Sequence, residues 1–201
     1  MKKKLRSDLL IISEFINRKE KILDVGCGDG SLLKYLSQEK DVKCRGIELS
    51  LSGVNECLKK GLSVVQGDAN FDLDDYPKDS FSTVILSQTL QAMIYPDKVI
   101  ENLIRIADRA IISFPNFVYW KIRRDFLFSG LMPKNPVLKY EWFNTPNIHL
   151  CTISDFENFC IDNKIFISKF LCLNENGESI KKPLSNLRGY QAIFCVSKKR
   201  I

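Results

Sequence analysis

The sequence contains no apolar run approaching the ~20 residues that a membrane-spanning helix requires. Its first segment, MKKKLRSDLLIISEF, starts basic, but Ser13 and Glu14 interrupt the apolar stretch. A signal peptide needs a longer apolar core and a small-residue cleavage site, so neither an anchor nor an export signal is expected. The cysteines lack order as well. There are seven, an odd number, scattered without the paired spacing of a metal site. They read as reduced thiols of a cytoplasmic protein, mostly packed as small apolar groups. Repeats and low-complexity stretches are missing, and there is a single histidine, His149.

What charge there is sits unevenly. The formal net charge is +6, yet Lys2, Lys3 and Lys4 open the chain and Lys198, Lys199 and Arg200 close it. Terminal lysine runs read as solvated tails, whereas nucleic-acid binding usually shows a basic face with interleaved aromatics. One internal cluster has that character, YWKIRRDF from Tyr119 to Phe126. The balance argues against nucleic acid as partner.

The ordered part alternates short apolar runs with helical periodicity. Leu5, Leu9, Ile12 and Ile16 recur at helical spacing and predict an opening amphipathic helix. KILDV, KCRGIEL, LSVVQ, FSTVILS and RAIISF then read as five strands, with helices begun by Ser31 and Ser50 and a third carried by Val99, Ile100, Leu103, Ile104 and Ala107. KIFISKFLCL and YQAIFCVSK add two strands, expected to be antiparallel. The alternation predicts an α/β fold: a mostly parallel seven-stranded sheet with helices on both faces. At 201 residues, one domain is expected over 1–201. Only Phe128 to Thr152, with three prolines and three asparagines, breaks the pattern; it is read as a lid or partner-binding insertion.

Chemistry gathers at the strand ends. In KILDVGCGDGSLLKYL the first strand runs into Gly26, Gly28 and Gly30, and a helix follows. A dinucleotide loop uses a wider last gap, and a phosphate loop ends in Gly-Lys-Ser or Gly-Lys-Thr. Here Asp24 and Asp29 flank the glycines and no lysine follows them, so a polyphosphate is disfavoured. The second strand ends at Glu48 in RGIELS, the place of a ribose acceptor. The third leads into QGDAN, where Asp68 is suited to accept from an exocyclic amine. A glycine loop with acids at three successive strand ends suits an adenosine with a cationic tail and no phosphates, which is S-adenosylmethionine. The fourth strand opens into LSQTLQ with Ser87 and Gln88, neither a strong base.

ILDVGCGDG, GIELS and GDAN resemble the three cofactor motifs of class I S-adenosylmethionine-dependent methyltransferases, whose fold is Rossmann-like. LSQTLQAMIYPDKVIENLIRIADRAIISFPNF and EWFNTPNIHLCTISDFENFC closely resemble the MetW family of methionine biosynthesis proteins, over roughly Leu9 to Leu173. The resemblance implies cofactor-contact roles for Asp24, Gly26, Gly28, Glu48 and Asp68. The expected cofactor set also takes in Cys27, Leu49, Ala69 and Ser87, with the Cys27 thiol read as packing. The cofactor expected there is S-adenosylmethionine or S-adenosylhomocysteine. The resemblance also implies support of a separate homoserine O-acyltransferase. Whether the chain is itself an enzyme stays open, the alternatives being methyl transfer to a small metabolite or to nucleic acid. His149 and Asn116 are weak catalytic candidates, His149 also fitting a structural histidine. No metal is expected.

Overall fold

The structure, a computed structural model, describes residues 5–134 and 138–198. Most of the tail lysines, and Asn135 to Val137 of the proline-rich segment, lie outside the described residues.

The chain opens with helix α1 (Ser7–Glu14), then strand β1 (Lys21–Val25), α2 (Ser31–Lys40), β2 (Lys43–Glu48), α3 (Leu51–Lys59) and β3 (Val64–Gln66). β4 (Phe81–Ser87), α4 (Pro96–Ile106) and β5 (Ala107–Pro115) follow. Next come α5 (Trp120–Ser129), α6 (Ile153–Asp162), β6 (Phe166–Leu173), β7 (Ser179–Ile180), the short α7 (Ser185–Arg188) and β8 (Gln191–Ser197). One sheet holds all the strands in the order β3-β2-β1-β4-β5-β8-β6-β7. β1 to β5 pair parallel; β8 is antiparallel to both β5 and β6.

The sheet therefore has eight strands where seven are expected from the sequence. The extra one, β7, is a two-residue edge strand antiparallel to β6. A tight turn makes it: the Asn174 side chain accepts from the N–H groups of Asn176 and Glu178, both at 2.9 Å. Two residues carry no alternation that a sequence can display.

The central strands β1, β4, β5 and β8 are largely buried on both faces, as crossover helices require, while β3 at the edge buries no residue. On β5, Ala110, Ile112 and Phe114 enter one core with α4 and α6, while Ile111 enters the other with α1 and α2. Phe114, Phe156 and Phe194 form the centre of the first core, Phe156 and Phe194 with ring centroids 4.6 Å apart. α4 begins with Pro96 and Asp97, suited to a helix N-terminus by fixed φ and by the dipole. α6 begins with a capping box in which Thr152 and Asp155 exchange side-chain and backbone bonds.

A polar knot ties the amino-terminal edge of the sheet. Arg109 donates to Glu20 at 2.7 Å, to the Phe15 carbonyl at 2.8 Å and to Thr83 at 2.9 Å. Burial pushes the Glu20 carboxyl up, but hydrogen bonds from Thr83 and Asn17 and the Arg109 charge outweigh it, leaving it below its ordinary value of 4.5. Arg109→Ala is expected to cost about 2 kcal/mol in urea denaturation at pH 7, less than the ~3–5 for a fully buried pair, because 23 % of its side chain faces water. The contribution from Glu20 is present above about pH 4.5 and fades as pH falls through its lowered value, so the gap between the proteins should narrow at pH 3. An equal gap at both pH values counts against an ionic origin.

The chain leaves β1 for β2 and β3 on one side, then returns to β4 on the other. The order reverses between β1 and β4, and open α/β sheets bind their ligands beyond that point.

Candidate cofactor site

Gly26 follows β1 at the reversal. Its N–H and that of Cys27 donate to the Ile47 carbonyl at 2.8 and 3.3 Å, stitching the loop to β2. Gly26 has φ 70°, and a Cβ there would lie 2.8 Å from the Thr89 hydroxyl and 2.9 Å from its methyl. Glycine is thus required twice over, by conformation and by the segment that leaves β4. Gly28 has φ 56° with nothing within 4 Å of a Cβ, so it borders open space.

Glu48 faces this loop. One carboxylate oxygen accepts from the Gly28 N–H at 2.8 Å; the other accepts from the Ser50 N–H and hydroxyl, each at 2.9 Å. Three of the ~four acceptor sites of a carboxylate are thereby used, and the group is fixed beside the loop. Ser50 in turn caps α3 by accepting from Gly53 N–H. Leu49 is exposed beside it.

Asp24 lies under the loop, 3 % exposed. Burial, then the nearby Glu48 charge, raise its carboxyl to about 7, and Arg6 opposes the shift. A buried carboxyl with so little compensation is a place where an added cation is stabilising. Cys27 packs with Leu33 and Cys57, its sulfur 3.8 Å from that of Cys57. Burial, then Asp24, push its thiol well above the ordinary range, so it stays protonated and acts as an apolar group.

Asp29 departs from expectation. It accepts from the Ser31 N–H at 3.1 Å and hydroxyl at 2.7 Å, and Lys60 lies 3.2 Å away. Burial raises its carboxyl, but these partners outweigh burial and leave it low. Its charge is already met, so the acidity of the cradle comes from Asp24 and Glu48.

Asp68 follows β3. Its Oδ1 accepts from the Asn70 N–H and side-chain amide at 2.9 and 2.7 Å, and its own N–H donates to Asp72. Asn70 accepts from the N–H groups of Ile94 and Tyr95. That link between the exits of β3 and β4 has no signal in the sequence, since an asparagine in a turn is ordinary. Ala69 is buried in the main core. Ser87 ends β4 and accepts from Ser113 at 3.2 Å. Gln88 then adopts φ 57°, a conformation that non-glycine residues rarely take. It aims the chain so that Thr89 meets Gly26.

A cavity of about 620 Å³ opens at the carboxyl ends of β4 and β5. Gln88, Thr89, Tyr190, Gln191, Tyr140 and Asp8 are among its walls. Asp8 is buried and accepts from Arg6 at 2.9 and 3.1 Å and from Gln191 at 3.3 Å. Sequence reading gave no role to Asp8, Arg6 or Gln191. Neither catalytic candidate lines this cavity. Asn116 is fully buried and its amide donates to the carbonyls of Asn186 and Gly189, a clamp on the segment before β8. His149 lines a second, apolar cavity of about 510 Å³ with Leu90, Ile100, Phe156 and Phe159. Its Nε2 is 3.3 Å from the Ile94 carbonyl. No group of metal-ligating side chains occurs among the described residues, nor a helix long and apolar enough to cross a membrane.

The profile of the family described as methionine biosynthesis protein MetW matches residues 6–196. The chain belongs to the MetW family. A bifunctional methionine biosynthesis protein MetXA/MetW from Rhodopirellula baltica is 32 % identical over 170 residues, covering 77 % of this chain and 27 % of that protein. Ajmaline N-methyltransferase from Rauvolfia serpentina is 29 % identical over 116 residues, 52 % of this chain and 39 % of the relative. The MetW-family chain thus spans about a quarter to two-fifths of these relatives. Among solved structures, an S-adenosylmethionine-dependent methyltransferase from Archaeoglobus fulgidus superposes with TM-score 0.69 at 14 % identity, covering 96 % of this chain and 92 % of that one. The [4+2]-cyclase SpnF superposes with TM-score 0.67 at 15 % identity, covering 96 % and 80 %. The fold is the Rossmann-like class I methyltransferase fold. The cyclase shows why fold does not decide reaction.

Proposed function

We propose that this MetW-family protein binds S-adenosylmethionine or S-adenosylhomocysteine and supports a homoserine O-acyltransferase in the cytoplasm. The observation that carries the binding reading is the Glu48 carboxylate fixed on the Gly28 N–H, beside open space above a buried, undercompensated Asp24. Glu48 is suited to accept from ribose hydroxyls, Asp24 to neutralise a cationic tail, and the glycine loop to give backbone N–H groups close approach. Asp68 keeps its second oxygen for the base side while Oδ1 holds the turn. The cofactor, when bound, supplies a sulfonium-activated methyl group. The relative that carries MetXA and MetW in one chain supports the acyltransferase link.

Methyl transfer to a small metabolite is the second reading. The 620 Å³ cavity beside Thr89 favours it, being of the size that takes small ligands. Against it, both acids in that cavity are already engaged, Asp8 by Arg6 and Gln191 and Glu175 by Lys121, and His149 lies elsewhere. A base is needed only where the acceptor must lose a proton.

Calorimetry with S-adenosylmethionine and S-adenosylhomocysteine, with NAD and ATP as controls, tests the binding reading; tighter NAD or ATP binding sinks it. Glu48→Ala is expected to weaken binding by ~1–3 kcal/mol through loss of charge-assisted hydrogen bonds. Glu48→Gln keeps the shape and should lie between the two. Affinity unchanged in both would make Glu48 a loop brace with no ligand role. Acyltransferase rates measured with and without this chain, across a cofactor titration, test the second half. Turnover of a methyl acceptor by the chain alone, with no effect on the acyltransferase, would reverse the order of the two readings.

A further inference from the structure

Helix α5 is poorly anchored. Of its ten residues only Ile122 is buried. Short helices owe most of their stability to packing of an apolar face, and fewer than ~12–15 residues are marginal alone. Yet α5 carries Phe126, Leu127 and Phe128 outward, Phe128 81 % exposed. The irregular segment after it adds Leu131, Trp142 and Phe143, Trp142 74 % exposed. An ion pair between Lys134 and Glu141 ties the two arms of that segment together, and the Trp142 and Phe143 rings pack edge to face at 5.6 Å. Exposed apolar groups this dense are unusual on a monomer and mark interaction surfaces.

Charge says what kind of partner fits. From Trp120 to Phe143 the sequence holds five basic residues, Lys121, Arg123, Arg124, Lys134 and Lys139. Lys121 pairs with Glu175, Arg124 with Asp125 and Lys134 with Glu141, so among the described residues the rim's uncompensated positive charge lies at Arg123 and Lys139. An aromatic centre with a basic rim is complementary to an apolar patch edged by carboxylates. Four aromatic side chains of ~150–250 Å² each supply much of the ~800 Å² per partner of a standard interface.

We propose that the apolar, basic-rimmed face formed by α5, residues 131–134 and residues 138–143 is the docking surface for the acyltransferase, which meets it with an apolar patch edged by acids. This rests on the acyltransferase reading above and adds the place and chemistry of contact. The face also reaches the 620 Å³ cavity: Tyr140, two residues before Trp142, lines it together with Thr89, the residue that lies against Gly26. A partner gripping this segment therefore touches one wall of the cavity directly.

The test is binding of the homoserine O-acyltransferase from the same genome, by calorimetry or analytical ultracentrifugation. The wild-type chain is compared with F128D/W142D and with Leu58→Asp, a control at an exposed leucine on α3. F128D/W142D should bind the acyltransferase about a hundredfold more weakly, as when interface anchors are lost, with S-adenosylmethionine binding and melting temperature unchanged. Leu58→Asp should bind like wild type, and wild-type binding should weaken with salt. Equal binding by F128D/W142D overturns the surface assignment and leaves the partner reading intact. Loss of S-adenosylmethionine binding in F128D/W142D overturns it too, making the segment a cover over the cofactor. No acyltransferase binding by the wild-type chain overturns the partner reading, and this proposal with it.

Discussion

Asp24→Asn is expected to raise the melting temperature of the ligand-free protein at pH 8 and to abolish binding of S-adenosylmethionine. The carboxyl is raised in the folded chain to about 7 from an ordinary 3.8. Folding therefore favours its protonated form. The penalty is nil below the unfolded value, grows as pH rises from about 4 to 7, and stays constant above. At 1.36 kcal/mol per pKa unit the ceiling is about 4 kcal/mol. Asparagine keeps the shape and removes the charge, so a gain of several degrees at pH 8 should vanish near pH 4. The same charge serves the ligand: a cation beside it lowers the carboxyl again, so wild-type affinity should rise from pH 6 to 8 while the variant shows no binding at either pH. Equal melting temperatures for the two proteins at pH 8 would refute the account.

Gly28→Val is the second large effect. Calorimetry should detect no cofactor binding, while unfolding changes by only ~1–3 kcal/mol, the cost of holding a non-glycine residue at positive φ. The position has φ 56° and nothing near a Cβ, so no clash disturbs the apo fold. The new side chain instead fills the space that the ligand needs. Gly26→Val makes the contrast. There the added atoms meet Thr89, and stability should suffer as well as binding. If Gly28→Val binds normally, the loop does not cradle the ligand.

The sequence displays short-range patterns well. KILDV and FSTVILS match β1 and β4 residue for residue, because buried parallel strands are apolar runs bounded by turn residues. Asp24 and Glu48 stood out as candidates because acids rarely interrupt or end such runs. Asp29 misled: its lysine partner is 31 residues away, and nothing in the loop announces it. Helix α5 was visible only as a basic and aromatic cluster, since a helix that buries one residue shows no apolar stripe. Asp8, Arg6 and Gln191 were illegible for a different reason. Their meeting depends on where β8 inserts between β5 and β6, which no local pattern specifies.

The hydrogen bond between Asp8 and Gln191 spans 183 residues of chain, whereas Glu48 and Gly28 are 20 apart. Closing the longer loop costs about 2 kcal/mol more in chain entropy. Synthesis runs in the same direction. The glycine loop, β2 and α3 are all made more than a hundred residues before β8 emerges. The two halves of the site are thus unequal in time. The ligand cradle needs only near neighbours in the chain, while the far wall of the cavity is complete only once β8 pairs between β5 and β6.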